Sequence, residues 1–271
     1  MIRGVAPESD FEIGSISKAI TGLLYADACG RGEIAPATPL GELLPLGNCA
    51  AAGVSIGSLS RHASGLPRLA PAAPGSASML RRTASLVLQG DNPYGESLAE
   101  LLEQARAVRR LGTRPRYSNL GYELLGHAVA AGAGTGYREL VAARLSGPLA
   151  LDSVYMPATP GELRPGALTG TSRGGRPRQP WTGEALAPAG GIRASIQDLA
   201  RLARALLDGT APGMAALDPA RRWPLLGAVW SLAGVGVAAK VWGNDLVMRA
   251  SNALYIVIGW LAVLVVPALL E

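Results

Sequence analysis

The alternation of apolar and polar positions divides the chain into short helical segments separated by glycine- and proline-rich connections. The first apolar-periodic run, Ala19-Ile20-Thr21-Gly22-Leu23-Leu24-Tyr25-Ala26, predicts a helix that Phe11 to Lys18 leads into, with Gly30 and Gly32 flanking Arg31 at its C-terminal end. Pro36, Pro39 and Pro45 break up the next stretch, residues 54–59 fit a short helix or strand, and His62-Ala63-Ser64-Gly65-Leu66-Pro67 reads as a turn. Residues 70–95, rich in Ala, Pro, Gly and Ser, read as a surface excursion. Ser97 and Glu100 form a capping-box spacing ahead of Leu98, Leu101, Leu102 and Ala105, which share one helical face. Tyr117-Ser118-Asn119 precedes a periodic helix over residues 120–131 that Asn119 is placed to cap, and a further helix is predicted over 137–145. Residues 147–190 are mostly loop. Gly190-Gly191-Ile192-Arg193 then leads to Ser195, the expected cap of a helix that runs to Leu207 and is ended by Gly209, with Asp198 at its third position. No internal repeat is visible.

Beyond Arg222 the pattern changes. Residues 223–239 and 253–270 carry no charge, and Lys240, Asp245 and Arg249 lie between them. At 1.5 Å per residue each run spans roughly 25–27 Å, near the thickness of a bilayer's hydrocarbon core. Trp223, Trp230, Trp242, Tyr255 and Trp260 fall partly near the run ends. A hairpin of two membrane helices is predicted; the other arrangement compatible with the pattern is a pair of buried core helices. Basic residues at both ends of the first run leave the orientation open.

Composition adjusts this picture in a few places. The 271 residues allow one large domain or two smaller ones, and the mean hydropathy of +0.24 owes its excess to the C-terminal runs. The net charge of +5 comes from scattered arginines rather than a basic stripe, so no nucleic-acid partner is expected. Cys29 and Cys49 lack metal-ligand spacing and read as small buried residues, with a single bridge as the alternative. The N-terminal residues show no apolar segment of a secretory signal.

The chemistry centres on Ser15 and Lys18. On a helix the two project from one face, which puts an amine beside a hydroxyl. A serine hydroxyl is a weak nucleophile until a base takes its proton, and a lysine can do so only with a lowered pKa. Burial and the positive end of a helix both act in that direction. Of the 25 basic residues only Lys18 and Lys240 are lysines, so the one lysine in the first 239 residues stands where a base is needed. The plain alternative is Ser15 as a helix cap with Lys18 solvated. His62 as a general base for Ser15 is weaker than His62 as a structural residue of its turn, and His127 reads as a core histidine. Joined by Tyr117, the pair suggests acyl transfer: Ser15 attacks a carbonyl, Lys18 and the Tyr117 phenol pass its proton to the leaving group, and Asn119 holds the substrate amide. Sequence leaves open which of Lys18 and Tyr117 is the base, and Tyr117-Ser118-Asn119 alone is equally a turn with a helix cap.

With these motifs in order, residues 4–218 resemble the serine beta-lactamase and penicillin-recognising superfamily, in its class C-like branch that includes esterases and D-aminopeptidases. The likeness rests on Phe11 to Lys18, Pro39 to Pro45, His62 to Pro67, Tyr117 to Asn119 and residues 187–207. It implies an α+β, beta-lactamase/transpeptidase-like fold over residues 1–218, with the helical subdomain retained and the antiparallel sheet largely truncated. It also implies Ser15 as the acylated nucleophile, Lys18 and Tyr117 as the proton-transfer pair, Asn119 as a substrate contact, a small-molecule or peptide substrate, and no cofactor or metal. Two departures are expected to impair activity. The family's third motif, Lys or His followed by x-Gly, has no counterpart, since no histidine follows His127 and Lys240 is followed by Val241-Trp242. The chain also begins almost at the nucleophile, without the helix and strands that the family places before it. The tail, with Val229 to Gly236, Lys240, Tyr255 and Gly259-Trp260-Leu261, resembles two membrane helices of the haemolysin III-like family, implying a bilayer partner through residues 223–270. The two resemblances divide the chain into a hydrolase domain over residues 1–218 and a membrane segment over 219–271, implying a membrane-attached, impaired serine hydrolase; the alternative function is a non-catalytic integral membrane protein with a vestigial hydrolase domain.

Overall fold

In the computed structural model, the structure describes residues 6–71, 97–109, 111–112, 115–171, 175 and 177–217. A helix nearly surrounded by the rest of the chain sets the architecture. This is α5 (Asn119–Gly132), whose residues from Asn119 to Ala130 are all buried. Its Gly and Ala positions let neighbours approach closely: a Cβ on Gly126 would stand 2.3 Å from the Pro188 Cβ, so only glycine admits the turn of residues 187–191 there. Around it pack α1 (Ser17–Gly30), α2 (Leu40–Leu43), α3 (Ile56–Ser60), α4 (Leu98–Arg106) and α6 (Tyr137–Val141). Ile20, Leu24, Leu40, Ile56, Leu59, Leu101, Leu120, Leu124 and Leu125 are fully buried and belong to one continuous core. The last α-helix among the described residues, α7 (Ile196–Leu207), buries Leu199, Leu202, Ala203 and Leu206 on one face.

The only sheet among the described residues is a pair of three-residue strands, β1 (Asp10–Glu12) and β2 (Arg193–Ser195), antiparallel with Asp10 opposite Ser195 and Glu12 opposite Arg193. The described chain is thus α+β with a small antiparallel sheet. The fully buried Arg193 guanidinium fastens this pair by donating to Asp10 Oδ1 at 2.9 Å and to the Leu168 carbonyl at 2.5 Å, with Glu12 Oε1 at 3.5 Å. A buried cation is tolerated only when so partnered.

The caps follow the sequence signals with one exception. Ser97 accepts the Glu100 N–H at 3.2 Å, and Ser195 accepts that of Asp198 at 3.2 Å. The helix expected from residue 120 starts instead at Asn119 with Ser118 as its cap, Oγ accepting the Gly121 N–H at 2.9 Å, because Ser118 and not Asn119 has the extended backbone a cap requires. Of residues 54–59, expected as a short helix or strand, 56–59 fall in the helix α3, and Ser55 is bridged to Pro39 in antiparallel fashion. The segment expected as one helix over 137–145 begins as α6 and widens into a π-turn, Ala142–Ser146. Cys29 and Cys49 are free thiols and only half-buried, so neither the buried pair nor the bridge is formed. The excursion over 70–95, except residues 70 and 71, and both predicted membrane helices, 223–239 and 253–270, lie outside the described residues; among the described residues no helix is long and apolar enough to cross a membrane.

Candidate active site

The site begins where β1 turns into α1. Gly14 adopts a φ of +53°, a left-handed conformation that favours glycine, and this turns the chain out of the strand into a 3-10 turn, Gly14–Ile16, that carries Ser15. Ser15 therefore precedes α1 instead of lying on it or capping it, since α1 starts at Ser17 with no side-chain cap. Ser15 is exposed, whereas Lys18 in the first turn of α1 is only 7 % exposed. The two side chains still share one face, because the 3-10 turn runs on into the helix.

The fold brings three of the sequence-predicted side chains together. Ser15 Oγ lies 2.8 Å from the Tyr117 phenolic oxygen and 3.4 Å from Lys18 Nζ. Lys18 also stands over the Tyr117 ring, 4.9 Å from its centroid, and donates to the Ala189 carbonyl at 2.5 Å. That carbonyl belongs to a π-turn, Ala187–Gly191, which is locked to α1: Thr21 Oγ1 donates to the Pro188 carbonyl at 2.7 Å and the Ile192 N–H donates to Ser17 Oγ at 3.3 Å. Asn119, the fourth predicted residue, is buried two positions beyond Tyr117 and donates its backbone N–H to the Arg68 carbonyl at 2.9 Å. The exposed Arg68 guanidinium stands 5.9 Å from the Tyr117 ring centroid, at the mouth of the site.

Burial separates the proton affinities of the two titratable groups. Desolvation brings the Lys18 ammonium down to about pKa 7; the Glu123 carboxylate opposes that fall and Arg68 reinforces it. Desolvation moves the Tyr117 phenol the other way, upward, against the hydrogen bond from Ser15 and the charge of Arg68. Near neutrality the arrangement can therefore hold a free amine and a protonated phenol on either side of one hydroxyl. Among the described residues no group of three His, Cys, Asp or Glu side chains is arranged to hold a metal ion.

This arrangement accompanies a family match. The beta-lactamase family model matches residues 2–243. The chain belongs to the beta-lactamase family. The match runs on across residues 223–239, the first of the two uncharged runs. Among solved structures, the chain is similar to a class C beta lactamase from Rhodobacter sphaeroides (21 % identity, TM-score 0.61, covering 84 % of this chain and 66 % of the other). It is also similar to a beta-lactamase from Sulfitobacter sp. EE-36 (23 %, 0.61, 85 % and 65 %) and to a beta-lactamase/D-alanine carboxypeptidase from Pseudomonas syringae (21 %, 0.58, 75 % and 52 %). The beta-lactamase-family chain thus spans about two thirds of the length of the first two and about half of the third, and at these identities the likeness is one of fold: beta-lactamase/transpeptidase-like, with helices and a small antiparallel sheet.

Sequence pattern gives no hint of three further contributors. The Ala189 carbonyl is a backbone group, Glu123 hides inside an apolar helical repeat, and Arg68 comes after a turn whose path sequence alone does not set. His62, weighed as a base, takes another place: its ring packs at 4.7 Å on those of both Tyr117 and Tyr122. His127 is a core residue with Nε2 at 3.2 Å from the Glu184 carbonyl.

Proposed function

We propose that this member of the beta-lactamase family is a serine hydrolase that cleaves an amide or ester bond in a small molecule or peptide (a beta-lactam, a D-amino-acid peptide or an ester) through an acyl-enzyme on Ser15. The observation that carries this reading is the Ser15–Lys18–Tyr117 triangle, with a low-pKa amine and a protonated phenol each within reach of the hydroxyl. In the proposed reaction the free Lys18 amine takes the Ser15 proton as Oγ bonds to the substrate carbonyl carbon and the carbonyl oxygen becomes an oxyanion. Collapse re-forms the carbonyl and breaks the bond to the leaving group, which receives the Tyr117 proton; the phenol is reprotonated from the Lys18 ammonium. Water then attacks the ester on Ser15, giving up its proton through the same pair, and the acid departs as Oγ is reprotonated. Asn119 is the proposed contact for the substrate amide. A chain that works without the second oxyanion N–H that the family's third motif supplies would be about a hundredfold to a thousandfold slower.

The test is covalent labelling of folded protein with a fluorescent penicillin and with a fluorophosphonate, located by peptide mapping. Label on Ser15, absent in Ser15→Ala, is the expected result; folded protein that takes neither probe overturns the reading.

A second reading, an integral membrane protein of haemolysin III-like tail with a vestigial hydrolase domain, draws on the uncharged runs at 223–239 and 253–270. The extension of the family match to residue 243 weighs against it. Extraction of the full chain from membranes by alkaline carbonate excludes bilayer insertion; retention supports it.

A further inference from the structure

One histidine holds three successive residues around the phenol. The His62 carbonyl accepts the Arg116 N–H at 2.8 Å, the His62 ring packs on the Tyr117 ring with centroids 4.7 Å apart, and His62 Nδ1 accepts the Ser118 N–H at 3.1 Å. On its other side the ring meets that of Tyr122, also at 4.7 Å, and the Tyr122 phenol donates to the Ser60 carbonyl at 2.8 Å. His62 itself hangs from the end of α3 by donating its N–H to the Leu59 carbonyl at 3.1 Å. It is 4 % exposed and its φ is +54°, a left-handed backbone that a side chain bearing a Cβ takes up only when its surroundings hold it there. Strain of this kind, in a residue clamped to the site by three contacts, calls for a role.

The hydrogen bonding decides which role. A neutral imidazole has one acceptor nitrogen and one N–H. With Nδ1 engaged by the Ser118 N–H, the proton is on Nε2 and no lone pair remains to act as a base for Ser15. We propose that His62 is a positioning residue: its Nδ1, by holding the Ser118 N–H, sets the Tyr117 phenol at hydrogen-bond distance from Ser15. This rests on the reading of Ser15 as the acylated nucleophile. Burial and the neighbouring Lys18 hold the imidazole down to about pKa 4, so the acceptor persists across the neutral range.

Two substitutions separate positioning from plain packing. His62→Phe keeps an aromatic ring and loses the acceptor, whereas His62→Asn keeps an acceptor at the corresponding position and tolerates the left-handed backbone. The measurement is the rate of Ser15 acylation by a fluorescent penicillin, whose departing lactam nitrogen needs a proton, over a range of concentrations and per folded molecule, so that limiting rate and half-saturating concentration are read separately. A phenol displaced by a fraction of an ångström is expected to lower the limiting rate by about tenfold or more in His62→Phe, with less than about a twofold change in half-saturation and with most of the rate restored in His62→Asn. A folded His62→Phe protein that labels at the wild-type limiting rate overturns the inference alone; wild-type protein that takes no label overturns the acyl-enzyme reading and this inference with it. Nitrogen-15 NMR of the wild-type imidazole adds a readout that needs no variant to fold. The neutral Nε2–H tautomer is expected at neutral pH, and the Nδ1–H tautomer or the doubly protonated ring overturns the proposal.

Discussion

The Tyr117 phenol, 102 positions away in sequence, comes nearer to the Ser15 hydroxyl than does the Lys18 amine three positions away, at 2.8 Å against 3.4 Å. Nearness alone would favour the phenol as base, but the phenol's affinity for its proton is raised by burial and the amine's is lowered to about pKa 7. In the proposed reaction, proton affinity splits the two duties: the amine receives, and the phenol delivers to the leaving group.

From that division, Tyr117→Phe should act unequally on different substrates. The ring that packs on His62 is kept, so the fold is expected to survive, and only the phenolic proton is lost. An amide nitrogen must be protonated to leave, whereas an activated aryl alkoxide leaves unaided. Acylation by an amide should fall by about a hundredfold or more and acylation by an aryl ester by much less. Single-turnover acylation of Ser15 by the two substrate types checks this, and equal losses would assign the phenol a different duty.

In the proposed reaction Lys18 sets the pH dependence. Only its free amine can accept the Ser15 proton, so the labelling rate should climb with pH up to about 7 and level off above it. The linked effect on stability has a fixed sign. A lysine that ionises near 10.5 when unfolded and near 7 when folded leaves the folded state fully favoured above the unfolded value, and that advantage shrinks as pH falls from about 10.5 to about 7 and is constant below. Urea unfolding at several pH values measures the trend in parallel with the rate.

Two neighbours should move the midpoint of that rate profile in opposite directions. The Glu123 carboxylate holds the Lys18 pKa up, so Glu123→Gln should shift the midpoint to lower pH; Arg68 holds it down, so Arg68→Gln should shift it higher. The Arg68 side chain is exposed and screened by solvent and salt, and its shift should be the smaller and should fade at high ionic strength, whereas the Glu123 shift should persist.

Sequence pattern and structure agree where the physics is local. Ser97 with Glu100 and Ser195 with Asp198 are caps within a four-residue window, and both form as expected; Ser15 and Lys18 converge because three positions of helical turn admit little else. Agreement fails where partners are distant or short. A three-residue strand carries no readable alternation, so β1 and β2 are invisible until paired across 183 positions, and Arg193, in sequence one arginine among many, proves to be their fully buried fastening. Asn119 and Ser118 are both competent caps, and only the backbone angle at residue 118 decides between them. The Ala189 carbonyl has no side-chain signature, and the π-turn that aims it at Lys18 depends on a glycine at position 126 in another helix.

The same fastening governs stability. Arg193 is 0 % exposed and donates to Asp10 at 2.9 Å, while Tyr155 donates to the other Asp10 oxygen at 2.5 Å. Asp10→Ala removes the anion and leaves a buried guanidinium with Glu12, 3.5 Å away, as its remaining carboxylate partner. Breaking a buried pair from one side costs about 3–5 kcal/mol, whereas exchanging both members for apolar residues of similar volume is often neutral. Asp10→Ala should therefore lower the denaturant midpoint sharply, and Asp10→Leu with Arg193→Met should recover most of the loss. Because β1 runs directly into Gly14 and Ser15, the single variant should also lose Ser15 labelling at temperatures where the double variant retains it. A single variant as stable as wild type would mean that the strand pair is held by its backbone bonds and the helices beneath it, with the Arg193–Asp10 contact contributing nothing.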